Sequence, residues 1–129
     1  MKISFEVKEN FSVKPTVIYR AWLDSEGHSS MTGGDAICSD EADGAFSAWD
    51  GYIFGKNSSL VENQEIVQLW RTTEFEEEDE DSLLQIVLRE TEDGCEVTIK
   101  HSNIPEDRDA DYEQGWKEHY FSPMKEYFS

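Results

Sequence analysis

Apolar and polar positions alternate with a period of two through most of this chain and shift to a helical period near its two ends. Ile3, Phe5 and Val7 alternate with Lys2, Ser4, Glu6 and Lys8, the pattern of a half-buried strand. Cys95, Val97, Ile99 and His101 alternate with Glu96, Thr98 and Lys100 in the same way. Leu84, Ile86 and Leu88 share one face of the segment before them. A further strand over 65–71 puts Ile66, Gln68 and Trp70 on one side, with Val67 and Leu69 on the other. Asp50-Gly51 is expected to join strands over 45–49 and 52–55, and Asp93-Gly94 to join the last two strands. Both central residues of a two-residue hairpin turn need positive φ, which Asp-Gly supplies. Short turns imply antiparallel neighbours.

Helical spacing appears twice. Pro15 suits a first helical turn, and Val17, Ile18, Ala21 and Trp22 follow it on one face. Asp24 is a cap for a second short helix running toward Met31, which Gly33-Gly34 ends, and His28 is read as the start of a loop. Near the C-terminus, Tyr112, Trp116, Tyr120, Met124 and Phe128 recur at strict i, i+4 spacing, with His119, Pro123 and Tyr127 on the adjoining row. Asp107 or Asp109 is the expected cap. Pro123 removes a hydrogen bond and crowds the His119 carbonyl, so a kink without a break is predicted there.

These elements predict an α+β fold. Two short helices follow the first strand, a curved antiparallel sheet of six to seven strands comes next, and a long terminal helix covers one face. The tract Glu76-Glu77-Glu78-Asp79-Glu80-Asp81 separates two strands and reads as a solvated loop, because six like charges resist packing.

Charge limits the partners. The chain carries 29 acidic and 11 basic residues, a net charge of −18. Such a field repels phosphate backbones and anionic lipid, which argues against nucleic acid or a membrane surface and for a basic patch on a partner protein. The N-terminus alternates and lacks the apolar core of a signal peptide, and no run approaches the ~18 apolar residues of a span, so a cytoplasmic protein is expected. Cys38 and Cys95 stand far apart and fit small buried side chains in a reducing compartment.

The chemistry is sparse. No serine elbow, phosphate-binding glycine loop or metal-binding histidine motif occurs, and His28, His101 and His119 lack metal-ligand spacing. No catalytic residue, cofactor or metal is assigned. The least implausible catalytic set is His101 with Glu118 or Tyr120, while the simpler reading of His101 is a hydrogen-bonded core residue. Trp70-Arg71 offers a stacked cation with a structural role. The aromatic stripe has two readings: core facing the sheet, or the lining of a cavity between helix and sheet. The expected lining is Trp70, Ile86, Ile99, His101, Tyr112, Trp116, His119, Tyr120 and Met124.

Four segments stand in order along the chain: His28-Ser29-x-Met31-Thr32-Gly33, Trp49-Asp50-Gly51-Tyr52-Ile53-x-Gly55, Ile66-Val67-Gln68-x-Trp70-Arg71, and Tyr112-Glu113-x-Gly115-Trp116-x-Glu118-x-Tyr120-x-x-Pro123. Together they resemble the domain named for the C-terminal part of the activator of the ninety-kilodalton heat-shock protein ATPase. That family belongs to the START-like, pollen-allergen-like helix-grip superfamily. The resemblance implies one helix-grip domain over 1–129, with the terminal helix and the curved sheet enclosing an apolar cavity. It also implies two partner classes: a hydrophobic small molecule in that cavity, or a chaperone or other protein. The eukaryotic co-chaperone carries a separate N-terminal domain, which the resemblance leaves no room for within these 129 residues.

Overall fold

A computed structural model describes residues 2–105 and 111–128. Among the described residues six strands form: β1 (Lys2–Phe11), β2 (Ala45–Ala48), β3 (Ile53–Val61), β4 (Glu65–Thr72), β5 (Ser82–Glu90) and β6 (Cys95–Pro105). Helices α1 (Pro15–Leu23) and α2 (Ser25–Thr32) lie between β1 and β2. The chain ends in α3 (Tyr112–Trp116), a π turn (Lys117–Phe121) and α4 (Ser122–Tyr127). The sheet is antiparallel throughout, in the order β1-β6-β5-β4-β3-β2, so the first strand pairs with the last. It forms the curved sheet of the expected α+β fold.

Alternation decides which face is covered. Ile66, Gln68, Trp70 and Thr72 of β4 are buried, as are Ser82, Leu84, Ile86 and Leu88 of β5 and Cys95, Val97, Ile99 and His101 of β6. The terminal helix packs on this face, with Trp70 meeting Tyr112 and Trp116 at ring distances of 5.3 and 5.8 Å. From the other side, Trp22 of α1 stacks on Trp116 and Tyr120 at 6.2 and 5.1 Å.

The helix ends follow the local chemistry. Pro15 opens α1, the Asp24 side chain accepts from the Gly27 amide, and Gly33 ends α2 in the left-handed region at φ 89°. His28 therefore sits within α2 and is buried, not at the start of a loop. The carboxylate of Asp111 accepts from the Gln114 amide and caps α3; the predicted caps Asp107 and Asp109 lie outside the described residues.

The Asp50-Gly51 turn forms within a longer connection, the Tyr52 amide bonding the Trp49 carbonyl at 3.1 Å, whereas the second turn centres on Glu92-Asp93, one residue before the predicted pair. Between β2 and β3, Trp49, Asp50 and Gly51 all take positive φ (51°, 59° and 90°), and Ala48 pairs with Ile53 across a four-residue connection. Between β5 and β6, Glu90 pairs with Cys95, and Thr91 and Gly94 exchange backbone hydrogen bonds of 2.9 and 3.3 Å. Asp93 is not in the left-handed region. Gly94 is required there because a Cβ would run into the Phe11 carbonyl oxygen. β3 also runs six residues past Gly55, through polar Asn57, Ser58 and Ser59. Asn57 is fully buried: its amide donates to the Ser39 and Glu41 carbonyls (2.9 and 3.0 Å) and its oxygen accepts from Gln68 (2.9 Å). It pins the loop ahead of β2 to the sheet.

The acidic tract does form the loop between β4 and β5, but it is not merely solvated. It curls around Arg71, which binds the Asp81 carboxylate at 2.8 Å and the Glu76 and Asp79 carbonyls at 2.8 and 3.1 Å. Arg71 stacks over Phe75, at 5.4 Å, and not over Trp70.

The terminal helix departs from a kinked α-helix. At 100° per residue, an i, i+4 stripe runs about 40° past a full turn at each step, so four steps would carry it about 160° round the helix. Yet Tyr112, Trp116, Tyr120, Met124 and Phe128 are all buried. The π turn resolves the mismatch by absorbing an extra residue, and the Ser122 amide bonds the Lys117 carbonyl five residues back. Pro123 follows at once, in the first turn of α4, where it has no N–H to lose.

Candidate functional site

The first half of the terminal helix, the β2–β3 connection and β4 enclose a pocket of about 310 Å³. Trp49, Tyr52, Ile53, Trp70, Tyr112, Gly115, Trp116, His119 and Tyr120 line it. Five of these were expected from sequence: Trp70, Tyr112, Trp116, His119 and Tyr120. The other four expected residues stand elsewhere. Ile86, Ile99 and Met124 are fully buried in packed core, and His101 lies behind Trp70 and Trp116, its ring 4.5 and 5.9 Å from theirs. The β2–β3 connection supplies Trp49 and Tyr52, and the start of β3 supplies Ile53, none of which sequence reasoning placed. Their signal was present in Trp49-Asp50-Gly51-Tyr52-Ile53, which reads most simply as turn chemistry.

Trp49 reaches the site through a local arrangement. Its ring lies against Gly34, where a Cβ would collide with it, and it meets the exposed His119 ring edge-on at 5.6 Å. Its Nε1 is buried and lacks a partner, the one such side-chain atom among the described residues.

Two hydrogen-bond chains hold the rings in place. Trp116 Nε1 can only donate, so His101 Nδ1 accepts at 3.1 Å. His101 Nε2 then carries the proton and donates to Ser82 Oγ at 2.8 Å, and Ser82 donates to the Trp70 carbonyl at 2.6 Å. Burial pushes the His101 imidazole down to about 3, so it is neutral. In the second chain, His28 Nδ1 bonds the Trp22 carbonyl at 2.9 Å, which makes that nitrogen the donor. His28 Nε2 therefore accepts from the Tyr120 hydroxyl at 2.7 Å. Burial lowers the His28 pKa and raises that of Tyr120. Burial likewise raises Tyr112, whose hydroxyl is 2.6 Å from Thr72 Oγ1. His28, Thr72 and Ser82 thus complete the site as supports, a role that sequence spacing does not reveal.

The set His101, Glu118 and Tyr120 is not assembled. Glu118 is exposed and bonded to Gln114, the Tyr120 hydroxyl is committed to His28, and His101 is closed by Ser82 and Trp116. No cluster of three potential metal ligands occurs among the described residues, and no helix among them is long and apolar enough to cross a membrane.

Residues 12–129 match the family model described as Activator of Hsp90 ATPase homolog 1-like protein. The chain belongs to this family. A curated relative from Dictyostelium discoideum, the activator of 90 kDa heat shock protein ATPase homolog, is 29% identical over 129 residues, covering 98% of this chain and 33% of the relative. The human activator homolog 1 is 25% identical over 122 residues, covering 95% and 36%. The chain thus spans about a third of the length of these activators. Among solved structures, that of an HSP90 activator from Plasmodium falciparum matches with a TM-score of 0.87 at 22% identity, covering 97% of this chain and 95% of that one. The solution structure of the Aha1 dimer from Colwellia psychrerythraea matches at 0.80 and 16% identity, covering 98% and 96%. At these identities the two structures speak for the fold of the activator family, here with an aromatic pocket beneath its terminal helix.

Proposed function

We propose that residues 1–129 act as one non-enzymatic binding unit that docks on the Hsp90 chaperone. Family membership across residues 12–129 carries the proposal. The interior supports a binding role over a catalytic one, since both buried histidines are neutral and committed to partners within the protein. A net charge of −18 favours a basic docking surface. Titrating the protein into Hsp90 while following ATP turnover tests this. Binding and a raised turnover rate are expected at low ionic strength, both weakening as salt screens the charges. No binding at low salt together with an unchanged rate refutes the proposal.

A second reading rests on a separate observation: the pocket beneath the helix is lined mainly by apolar and aromatic groups and is not filled by side chains. Its volume is at the lower end of the range of small-molecule sites. In this reading the pocket holds an apolar ligand. Native mass spectrometry of freshly purified protein is expected to show a small-molecule adduct that Trp116→Ala alters. A bare protein mass, with no thermal shift across a panel of apolar metabolites, tells against it.

A further inference from the structure

The pocket's own electrostatics narrow the ligand class. Six aromatic side chains surround the space: Trp49, Tyr52, Trp70, Tyr112, Trp116 and Tyr120. The polar tips of three are bound within the protein, Trp116 by His101, Tyr120 by His28 and Tyr112 by Thr72. What these three rings offer a ligand is carbon, and the face of an aromatic ring carries partial negative charge. Lys and Arg are absent from the lining, whose one basic side chain is His119.

Carboxylates flank the lining residues along the chain. Asp50 follows Trp49, Asp111 precedes Tyr112 and Glu118 precedes His119, and all three are exposed. The charge of exposed Glu74 acts on Tyr112. Opposing them is Lys117, exposed on the helix beside Trp116. An anionic ligand such as a fatty acid would meet ring faces and nearby carboxylates with no Lys or Arg in the lining to pair with. A neutral apolar ligand would gain burial alone. A cation with apolar substituents gains burial, ring faces and the surrounding negative field together.

We infer that the pocket takes a free organic cation of the quaternary or tertiary ammonium class, its apolar substituents against the rings and its charge over their faces. This rests on the ligand-pocket reading above and is independent of chaperone docking. Three probes of similar size separate the alternatives: benzyltrimethylammonium, its uncharged carbon isostere neopentylbenzene, and the anion benzenesulfonate. Binding is read by tryptophan fluorescence and by saturation-transfer NMR.

The cation should bind about tenfold more tightly than the isostere, and the anion more weakly than either. Trp49→Leu should weaken the cation about fivefold and leave the isostere nearly unchanged, since a ring face is lost while apolar surface remains. Should Trp49→Leu melt early, Tyr52→Leu, at a half-buried lining position, serves in its place. The pair Asp50→Asn and Glu74→Gln should weaken the cation alone and flatten its salt dependence. If the isostere or the anion binds as tightly as the cation, the inference falls and the pocket reading survives. If none of the three binds, both fall.

Discussion

Ahead of Pro123, the terminal helix sets Tyr112, Trp116 and Tyr120 around a space of about 310 Å³. Toward its end, Phe121 and Phe128 close edge-on against Phe11 at 6.0 and 6.3 Å, and Met124 is completely buried. Tyr112, Trp116, Tyr120, Met124 and Phe128 belong to one buried stripe, which Phe121 flanks. The two halves differ in their polar tips. Each ring of the first half has a hydroxyl or indole N–H tied to a fixed partner, Thr72, His101 or His28, and cannot shift to fill a gap without breaking that bond. Phenylalanine and methionine have no such commitment and settle into contact, methionine most easily. Polar tethering of aromatic side chains is therefore what keeps the pocket open.

The largest expected break in this contrast is Trp116→Ala. It removes a bulky buried ring and leaves His101 Nδ1 without its donor, and it should cost about 4 kcal/mol in urea unfolding. Trp116→Phe separates the two contributions and should cost about 1–2 kcal/mol, mostly the lost hydrogen bond. A fully stable Trp116→Phe would show that the tether does not matter.

Met124→Ala should cost about 3 kcal/mol through the cavity it leaves, while probe binding in the pocket stays unchanged. Altered probe binding would mean that the two halves are coupled.

Acid should act on the tethered half. An unfolded histidine titrates near 6.5, whereas burial holds His101 down to about 3 and lowers His28 as well. Below pH 6.5 the unfolded chain takes up protons that the folded chain refuses. The stability that His101 confers is thus complete above that pH and is lost progressively as pH falls toward 3. At 1.36 kcal/mol per unit, His101 alone accounts for about 2 kcal/mol between pH 6.5 and 5. Comparing the pH dependence of urea midpoints for wild type and His101→Gln isolates this contribution; parallel curves would remove His101 from the account.

The smallest effect belongs to Trp49. Its buried Nε1 lacks a partner, so Trp49→Phe, which keeps an aromatic ring, should change stability by less than about 1 kcal/mol and in the stabilising direction. A clear loss in thermal melts would show that the indole packs more tightly than its unpaired donor suggests.

Much of this was legible in the chain. Period-two alternation gave β4, β5 and β6 and their inward faces, because one face of an antiparallel sheet is buried along its whole length. The later part of β3 was missed because its one buried residue, Asn57, is polar and reads as loop until its three hydrogen bonds are seen. Of the nine lining candidates, five lie at the pocket: three from the stripe, His119 from the adjoining row, and Trp70. Ile86, Ile99 and Met124 share the same faces but are fully buried in packed core, and periodicity reports a face and not its depth. His28 was lost because a single histidine in a short polar helix carries no periodic signal, and its partner Tyr120 is 92 positions away.

The π turn has one more consequence. A helix with a π turn holds one residue more than a continuous α-helix joining the same two ends. The surplus lies in an exposed part of the helix, where Lys117 and Glu118 face solvent. Shortening the chain by one residue there would convert the π turn to α and leave Tyr112 and Trp116 on one side, and Met124 and Phe128 on the other, in their present seats. Single-residue deletion normally wrecks a buried helix by turning its faces about 100°. Here deletion of Glu118 should leave a folded protein with a cooperative melt, whereas deletion within α4, at Glu126, should not. The helix keeps, in effect, one residue of slack.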